Sequence, residues 1–104
     1  MRILITGARG QLGIDVATVL ATRHNVAACA HADLDVSNPV AVMQRLTSER
    51  PDVVVNCAAW TAVDDCESDP NRAIRINGEG PAHLVKAAER VGARVIQIST
   101  DYVF

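Results

Sequence analysis

The first thirteen residues, MRILITGARGQLG, constrain this chain more than any other stretch. Arg2-Ile3-Leu4-Ile5 is a short, β-branched run of the kind that forms a strand buried on both faces. Thr6 and Gly7 end it, and Gly7, Gly10 and Gly13 follow at three-residue steps. Leu12, Val16, Val19 and Leu20 then recur at the spacing of one helix face. Strand, glycine turn and helix, in that order, is the setting in which a glycine pattern points to a bound dinucleotide. Glycines let the backbone turn tightly and come close to a pyrophosphate. The helix start adds unpaired N–H groups and the positive end of a dipole. The spacing G-x-x-G-x-x-G is one residue longer than G-x-G-x-x-G, so the loop is a variant of that fingerprint.

A chain of 104 residues makes one domain, long enough for a core and short for an α/β enzyme. Its apolar content of 49% with 3% aromatic describes a core of Val, Ile, Leu and Ala. A net charge of −2 and the lack of any basic run argue against a nucleic-acid partner. No apolar stretch approaches the roughly 18 residues of a membrane span. The N-terminus enters a strand directly, without a signal-peptide pattern. Three cysteines without C-x-x-C spacing read as reduced thiols, so a cytoplasmic protein is expected.

Along the chain, Val26-Ala27-Ala28-Cys29 reads as a second strand and residues 30–36 as a loop. Asn38-Pro39 is the residue pair of a helix start, cap followed by first position. Val42, Met43 and Leu46 give that helix an apolar face, and Arg50-Pro51-Asp52 stops it. Val53-Val54-Val55-Asn56 reads as a third strand, followed by a long connection from Cys57 to Ser68. Asp69-Pro70 repeats the helix start; the helix breaks at Gly78-Glu79-Gly80-Pro81 and resumes to Val91, with Gly92 as its cap. Arg94-Val95-Ile96-Gln97-Ile98 is the fourth strand. This alternation predicts a Rossmann-like α/β fold: a parallel sheet of order 3-2-1-4 with right-handed crossovers and helices on both faces.

Ligands of such sheets bind beyond the carboxyl ends of the strands, so the four segments that follow the strands matter. In the first, Gly7, Gly10 and Gly13 shape the loop, and the backbone N–H groups of Gly10, Gln11 and Leu12 are the expected pyrophosphate donors. The second is His31 to Val36. An acid about 20 residues past the glycines commonly binds the ribose 2′-hydroxyl of NAD. Asp33 and Asp35 fall in that range, but the strand end Cys29-Ala30-His31 carries no acid. That leaves room for a 2′-phosphate, which His31 could approach; a solvated surface histidine fits equally. In the third, Ala58 and Ala59 are small enough for a flat cofactor to lie close, and an ordinary packed strand end would look the same. In the fourth, Ser99 to Phe104, a hydroxyl could bond a substrate carbonyl beside a nicotinamide, or be a plain polar strand end.

Other residues have plainer readings. Cys29, Cys57 and Cys66 are small core or loop residues with no base partner. His24 and His83 read as surface residues, and their spacing from His31 fits no metal motif, so no metal site is assigned. Asp64, Asp65, Glu67 and Asp69 could form a metal loop, but a solvated helix entry, where acids are favoured, is the plainer reading.

Together TGARGQLG, DLDV followed by SNP, RPDVVVNCAAWTAVDDCE and ISTDYVF resemble the extended short-chain dehydrogenase/reductases, and within them the dTDP-4-dehydrorhamnose reductase family. The likeness runs over essentially the whole chain. It implies NAD(P)H-dependent reduction of the 4-keto group of dTDP-6-deoxy-L-lyxo-4-hexulose to dTDP-L-rhamnose. Gly10, Gln11 and Leu12 match the family's pyrophosphate loop, and Asp35-Val36 the pair beside the adenine. Ala59, Trp60, Thr61 and Ile98 match further cofactor contacts. Thr100 matches the catalytic hydroxyl, while Val63 and Asp101 match substrate contacts. Asp15 falls where some members carry an acid associated with Mg²⁺.

The family's proton donor is the Tyr of a Tyr-x-x-x-Lys pair. Tyr102 is the only tyrosine, and Phe104 closes the sequence before such a lysine. Residues 1–104 are therefore expected to be the NAD(P)-binding domain, the N-terminal part of a reductase, inactive without a downstream catalytic pair and substrate domain. NADPH is the expected cofactor, with NADH tolerated. A dTDP-sugar is the expected substrate, without nucleic-acid or membrane partners and with a homodimer left open. Two alternatives stand beside this reading: a non-catalytic nucleotide-binding or regulatory subunit of the same fold, and a reductase or epimerase of another sugar nucleotide.

Overall fold

The computed structural model describes residues 1–58 and 78–98. Strands β1 (Arg2–Thr6), β2 (Asn25–Cys29), β3 (Val53–Asn56) and β4 (Arg94–Gln97) alternate with helices α1 (Gln11–Leu20), α2 (Pro39–Glu49) and α3 (Gly80–Val91). Local chemistry sets several boundaries. The Asn38 side chain accepts hydrogen bonds from the amides of Val40 and Ala41, at 3.1 and 3.2 Å, and Pro39 opens the first turn of α2. This is the cap-then-proline start that the sequence predicts. Helix α2 ends on Arg50 in the left-handed region, with φ 47°, and α3 ends on Gly92 with φ 73°. The expected helix start at Asp69-Pro70 lies outside the described residues.

The four strands form one sheet in which every neighbouring pair is parallel, in agreement with the Rossmann-like class. The order is β2-β1-β3-β4, not the expected 3-2-1-4. Burial explains the difference. In β1 the side chains of Ile3, Leu4, Ile5 and Thr6 are all buried, and in β3 those of Val54, Val55 and Asn56. Strands apolar on both faces take the interior of a parallel sheet. Strand β2 carries exposed Asn25 and Ala28, which suits an edge, so the chain returns across β1 to place β3 on its other side.

That reversal also divides the helices between the faces, because right-handed crossovers running in opposite directions lie on opposite sides. On one face Leu4, Val54 and Cys29 pack with Val42 and Leu46 of α2 and with Leu84 and Ala87 of α3. On the other, Ile3, Ile5 and Val55 meet Val16, Ala17 and Leu20 of α1. Among the described residues α1 alone covers this second face. An apolar trough lined by Val16, Val19, Val55, Ile96 and Ile98 runs beside it, with Val19 68% and Ile96 50% exposed. No helix among the described residues is long and apolar enough to cross a membrane.

Candidate functional site: the loops at the carboxyl ends of β1 and β3

The chain leaves β1 for β2 on one side and returns as β3 on the other, so the carboxyl ends of β1 and β3 form the switch point of the sheet, where ligands of such folds sit. The loops there touch backbone to backbone. Gly7 has φ +64°, and a β-carbon on it would lie 2.6 Å from the Ala58 nitrogen and the Cys57 carbonyl. A residue without a side chain is required. A β-carbon on Gly13, in the first turn of α1, would lie 2.1 Å from the Gly7 oxygen. Gly10 differs. Its φ of −69° and ψ of 161° suit any residue, and among the described residues a β-carbon would meet only the Gly7 oxygen, at an ordinary 3.5 Å. Packing among the described residues demands glycine at 7 and 13 but not at 10.

The turn is closed by two bonds: the Gly10 amide donates to the Gly7 carbonyl at 3.1 Å, and the Ile14 amide to the Gly10 carbonyl at 2.9 Å. The N–H groups of Gln11, Leu12 and Gly13 precede that first ladder bond, and no side chain caps them. Gln11 and Leu12 are exposed and Gly13 is buried. Of the three donors expected at the loop, the amides of Gln11 and Leu12 are thus uncapped, while the Gly10 amide is occupied within the turn. The start of α2 is closed by Asn38; the start of α1 is open, at the positive end of its helix dipole.

Residues 30–36 fold tightly beside this loop, joined to it by the Ala8 amide, which donates to the Cys29 carbonyl at 3.1 Å. Asp33 turns its carboxylate back to accept from the Ala30 amide at 2.9 Å. Asp35 accepts from the amide and hydroxyl of Ser37 at 3.0 and 2.6 Å. Val36 is buried and His31 is exposed on the same turn. His83, expected at the surface, is half-buried, and its Nδ1 lies 2.9 Å from the Val36 carbonyl. Drawn as a donor, that nitrogen ties α3 to the Asp35-Val36 segment.

The last row of the sheet holds a polar group that the sequence reading passed over. Thr6, Asn56 and Gln97 are register partners across β1, β3 and β4. The Thr6 hydroxyl donates to Asn56 Oδ1 at 2.5 Å, and Asn56 Nδ2 donates to Gln97 Oε1 at 2.6 Å. Asn56 Oδ1 also accepts from the Ala58 amide at 3.1 Å. The available signal was a single asparagine closing an otherwise aliphatic run, VVVN. Half-buried Ile98 continues the pairing, its amide donating to the Asn56 carbonyl at 3.1 Å.

Ala59, Trp60, Thr61, Val63, Thr100 and Asp101 lie outside the described residues. Asp15 is exposed on α1, and no group of three or more metal-ligating side chains occurs among the described residues. Cys29 and Cys57 are free thiols. Burial pushes both upward in pKa; at Cys29, Asp33 and Glu49 add to that and Arg45 opposes it. Neither thiol has the environment of a nucleophile.

Known proteins share this arrangement. The family model described as RmlD substrate binding domain matches residues 1–104. A dTDP-4-dehydrorhamnose reductase of Streptomyces griseus is 50% identical over 104 residues, which are 99% of this chain and 34% of the relative. The solved dTDP-4-dehydrorhamnose reductase of Clostridium acetobutylicum superposes with a TM-score of 0.88 at 48% identity, over 100% of this chain and 38% of that one. That of Bacillus anthracis, solved in complex with NADP, gives 0.88 at 38% identity, over 99% and 37%. The chain spans about a third of the length of the relatives it matches. With its glycine loop, its sheet and a family model matched over residues 1–104, it belongs to the RmlD substrate binding domain family, alongside these dTDP-4-dehydrorhamnose reductases.

Proposed function

We propose that residues 1–104 are the cofactor-binding part of an NAD(P)H-dependent reductase that converts the 4-keto group of dTDP-6-deoxy-L-lyxo-4-hexulose to the hydroxyl of dTDP-L-rhamnose. Gly10 is the observation that carries this reading. Among the described residues nothing excludes a side chain there, yet the position stands before the uncapped amides of two exposed residues at the start of α1. A pyrophosphate approaching those amides supplies the steric reason for glycine. The Bacillus anthracis relative, similar over 99% of this chain, was solved with NADP.

In this reading Gln11 and Leu12 hold the pyrophosphate by backbone N–H donation, and the Gly7–Ala58 contact closes the floor of the crevice. The strand end Cys29-Ala30-His31 offers no carboxylate to repel a 2′-phosphate, and Asp33 is turned back onto the Ala30 amide. NADPH is therefore favoured, with NADH tolerated. The nicotinamide, when bound, supplies a hydride for the sugar C4. By the family resemblance Thr100 supplies the hydroxyl that bonds the carbonyl, Asp101 and Val63 contact the substrate, and a Tyr-x-x-x-Lys pair of the whole protein gives the proton.

Calorimetric titration of the full-length protein with NADPH and NADH, paired with turnover of the 4-keto sugar nucleotide, tests the proposal. NADPH binding that is lost in Gly10→Val, together with turnover, is expected. Binding without turnover of any keto sugar nucleotide would instead identify a regulatory module, and unchanged affinity in Gly10→Val would remove the loop from the site.

A further inference from the structure

We propose that Asn56 is a positioning residue for this site, setting the placement of the glycine loop against the loop that follows β3; the inference rests on the dinucleotide reading above. Three hydrogen bonds converge on one carboxamide that is wholly shielded from solvent, as is Thr6. They reach the end of β1 through Thr6, the end of β4 through Gln97, and the turn after β3 through the Ala58 amide. Gln97 is itself oriented, since its Nε2 donates to the Ile98 carbonyl at 3.2 Å, leaving Oε1 for Asn56.

The consequence runs outward from Ala58. The nitrogen that Asn56 holds is the atom against which Gly7 closes, 2.6 Å from where a β-carbon of Gly7 would stand. The carbonyl of Gly7 in turn receives the Gly10 amide and abuts Gly13. A contiguous path therefore leads from the Asn56 carboxamide through Ala58 and Gly7 to the open start of α1. Beyond the Asn56 carboxamide every contact on this path is backbone against backbone, so a shift at Ala58 has no side chain to absorb it. Asparagine suits the place because it supplies an acceptor for two donors and a donor for one acceptor on a short stem. Alanine would leave the buried Thr6 hydroxyl and the half-buried Ala58 amide without these partners. Aspartate would keep both acceptor bonds, and Gln97 could turn its amide to donate to it.

The test uses the full-length protein with Asn56→Ala, Asn56→Asp and Thr6→Val, read by amide hydrogen exchange without cofactor and by NADPH affinity with the split between KM and kcat. Asn56→Ala should speed exchange at the hydrogen-bonded amides of Ala8, Gly10, Cys57 and Ala58 roughly 10- to 100-fold, the scale of one or two buried hydrogen bonds left unmade. Amides in α2 should stay unchanged. NADPH affinity should fall in proportion, raising KM for the cofactor more than it lowers kcat, and Asn56→Asp should restore most of both. Thr6→Val keeps the side-chain shape, so it reports on the same loop should Asn56→Ala fail to fold. Loop exchange unchanged in Asn56→Ala, or in Thr6→Val where that variant stands in, would overturn the proposal. So would exchange raised uniformly across the domain with no rescue by Asn56→Asp. Wild-type protein that fails to bind NADPH would defeat the dinucleotide reading, while the exchange data would still decide the role of Asn56.

Discussion

A β-carbon on Gly13 would stand 2.1 Å from the carbonyl oxygen of Gly7, so the first turn of α1 is seated on the turn before it by the lack of one atom. Gly13→Ala must push the helix off the loop and should cost about 3 kcal/mol of stability, at the upper end of overpacking effects. Gly10→Ala meets only an ordinary contact and should cost less than about 1 kcal/mol, while weakening NADPH binding. Urea denaturation and cofactor titration of the two variants, side by side, separate folding glycine from binding glycine.

Arg50 is the one non-glycine residue with positive φ among the described residues. A side chain in the left-handed region costs about 1–2 kcal/mol, partly offset in glycine by greater freedom of the unfolded chain. The hydrogen bond its amide donates to the Leu46 carbonyl uses backbone atoms only and survives replacement. Arg50→Gly should therefore raise the stability of the domain by about 0.5–1 kcal/mol, seen as a higher melting temperature.

Burial holds the thiols of Cys29 and Cys57 above the ordinary cysteine range. A group with a raised folded-state pKa binds its proton more tightly when folded. Its contribution is complete below the unfolded pKa, about 8.5 for cysteine, and is lost as pH climbs through the folded value. The urea midpoint should fall as pH rises above about 8.5. Replacing both cysteines by alanine should flatten that slope while lowering the midpoint at neutral pH. A slope unchanged by the double replacement would assign the alkaline loss to other groups.

Much of this was legible because its causes are local. Asn38-Pro39 announces the start of α2, Gly92 the end of α3, and the aliphatic runs announce all four strands, since each signal acts within a turn or a strand of its own position. The strand order was not legible, because four similar runs do not say which is better buried. The exposed Asn25 and Ala28 of β2 are visible only against their neighbours. Asn56 and His83 escaped for a related reason. Their partners Thr6, Gln97 and Val36 lie 50, 41 and 47 positions away, and no window along the sequence contains both ends.

A polypeptide of residues 1–104 alone should bind NADPH weakly and reduce no 4-keto sugar nucleotide. It holds the glycine loop and Thr100 but no Tyr-x-x-x-Lys pair, and a general acid typically contributes ~10²–10⁴-fold. NADPH oxidation by the purified polypeptide at an ordinary enzyme rate of ~1–10³ s⁻¹ would show that the proton donor has been misassigned.

Among the described residues the helix cover of the sheet is uneven, and this has a thermodynamic signature. Denaturant sensitivity and the heat capacity of unfolding both scale with the apolar surface that unfolding newly wets. Along the trough beside α1, Val19 and Ile96 already face water in the native state. Unfolding these residues therefore adds little there, and the m-value and heat-capacity increment per residue should be lower than for a sheet covered equally on both faces. Any segment or partner that comes to lie over Val55, Ile96 and Ile98 would steepen the urea transition and bend the stability curve more sharply with temperature.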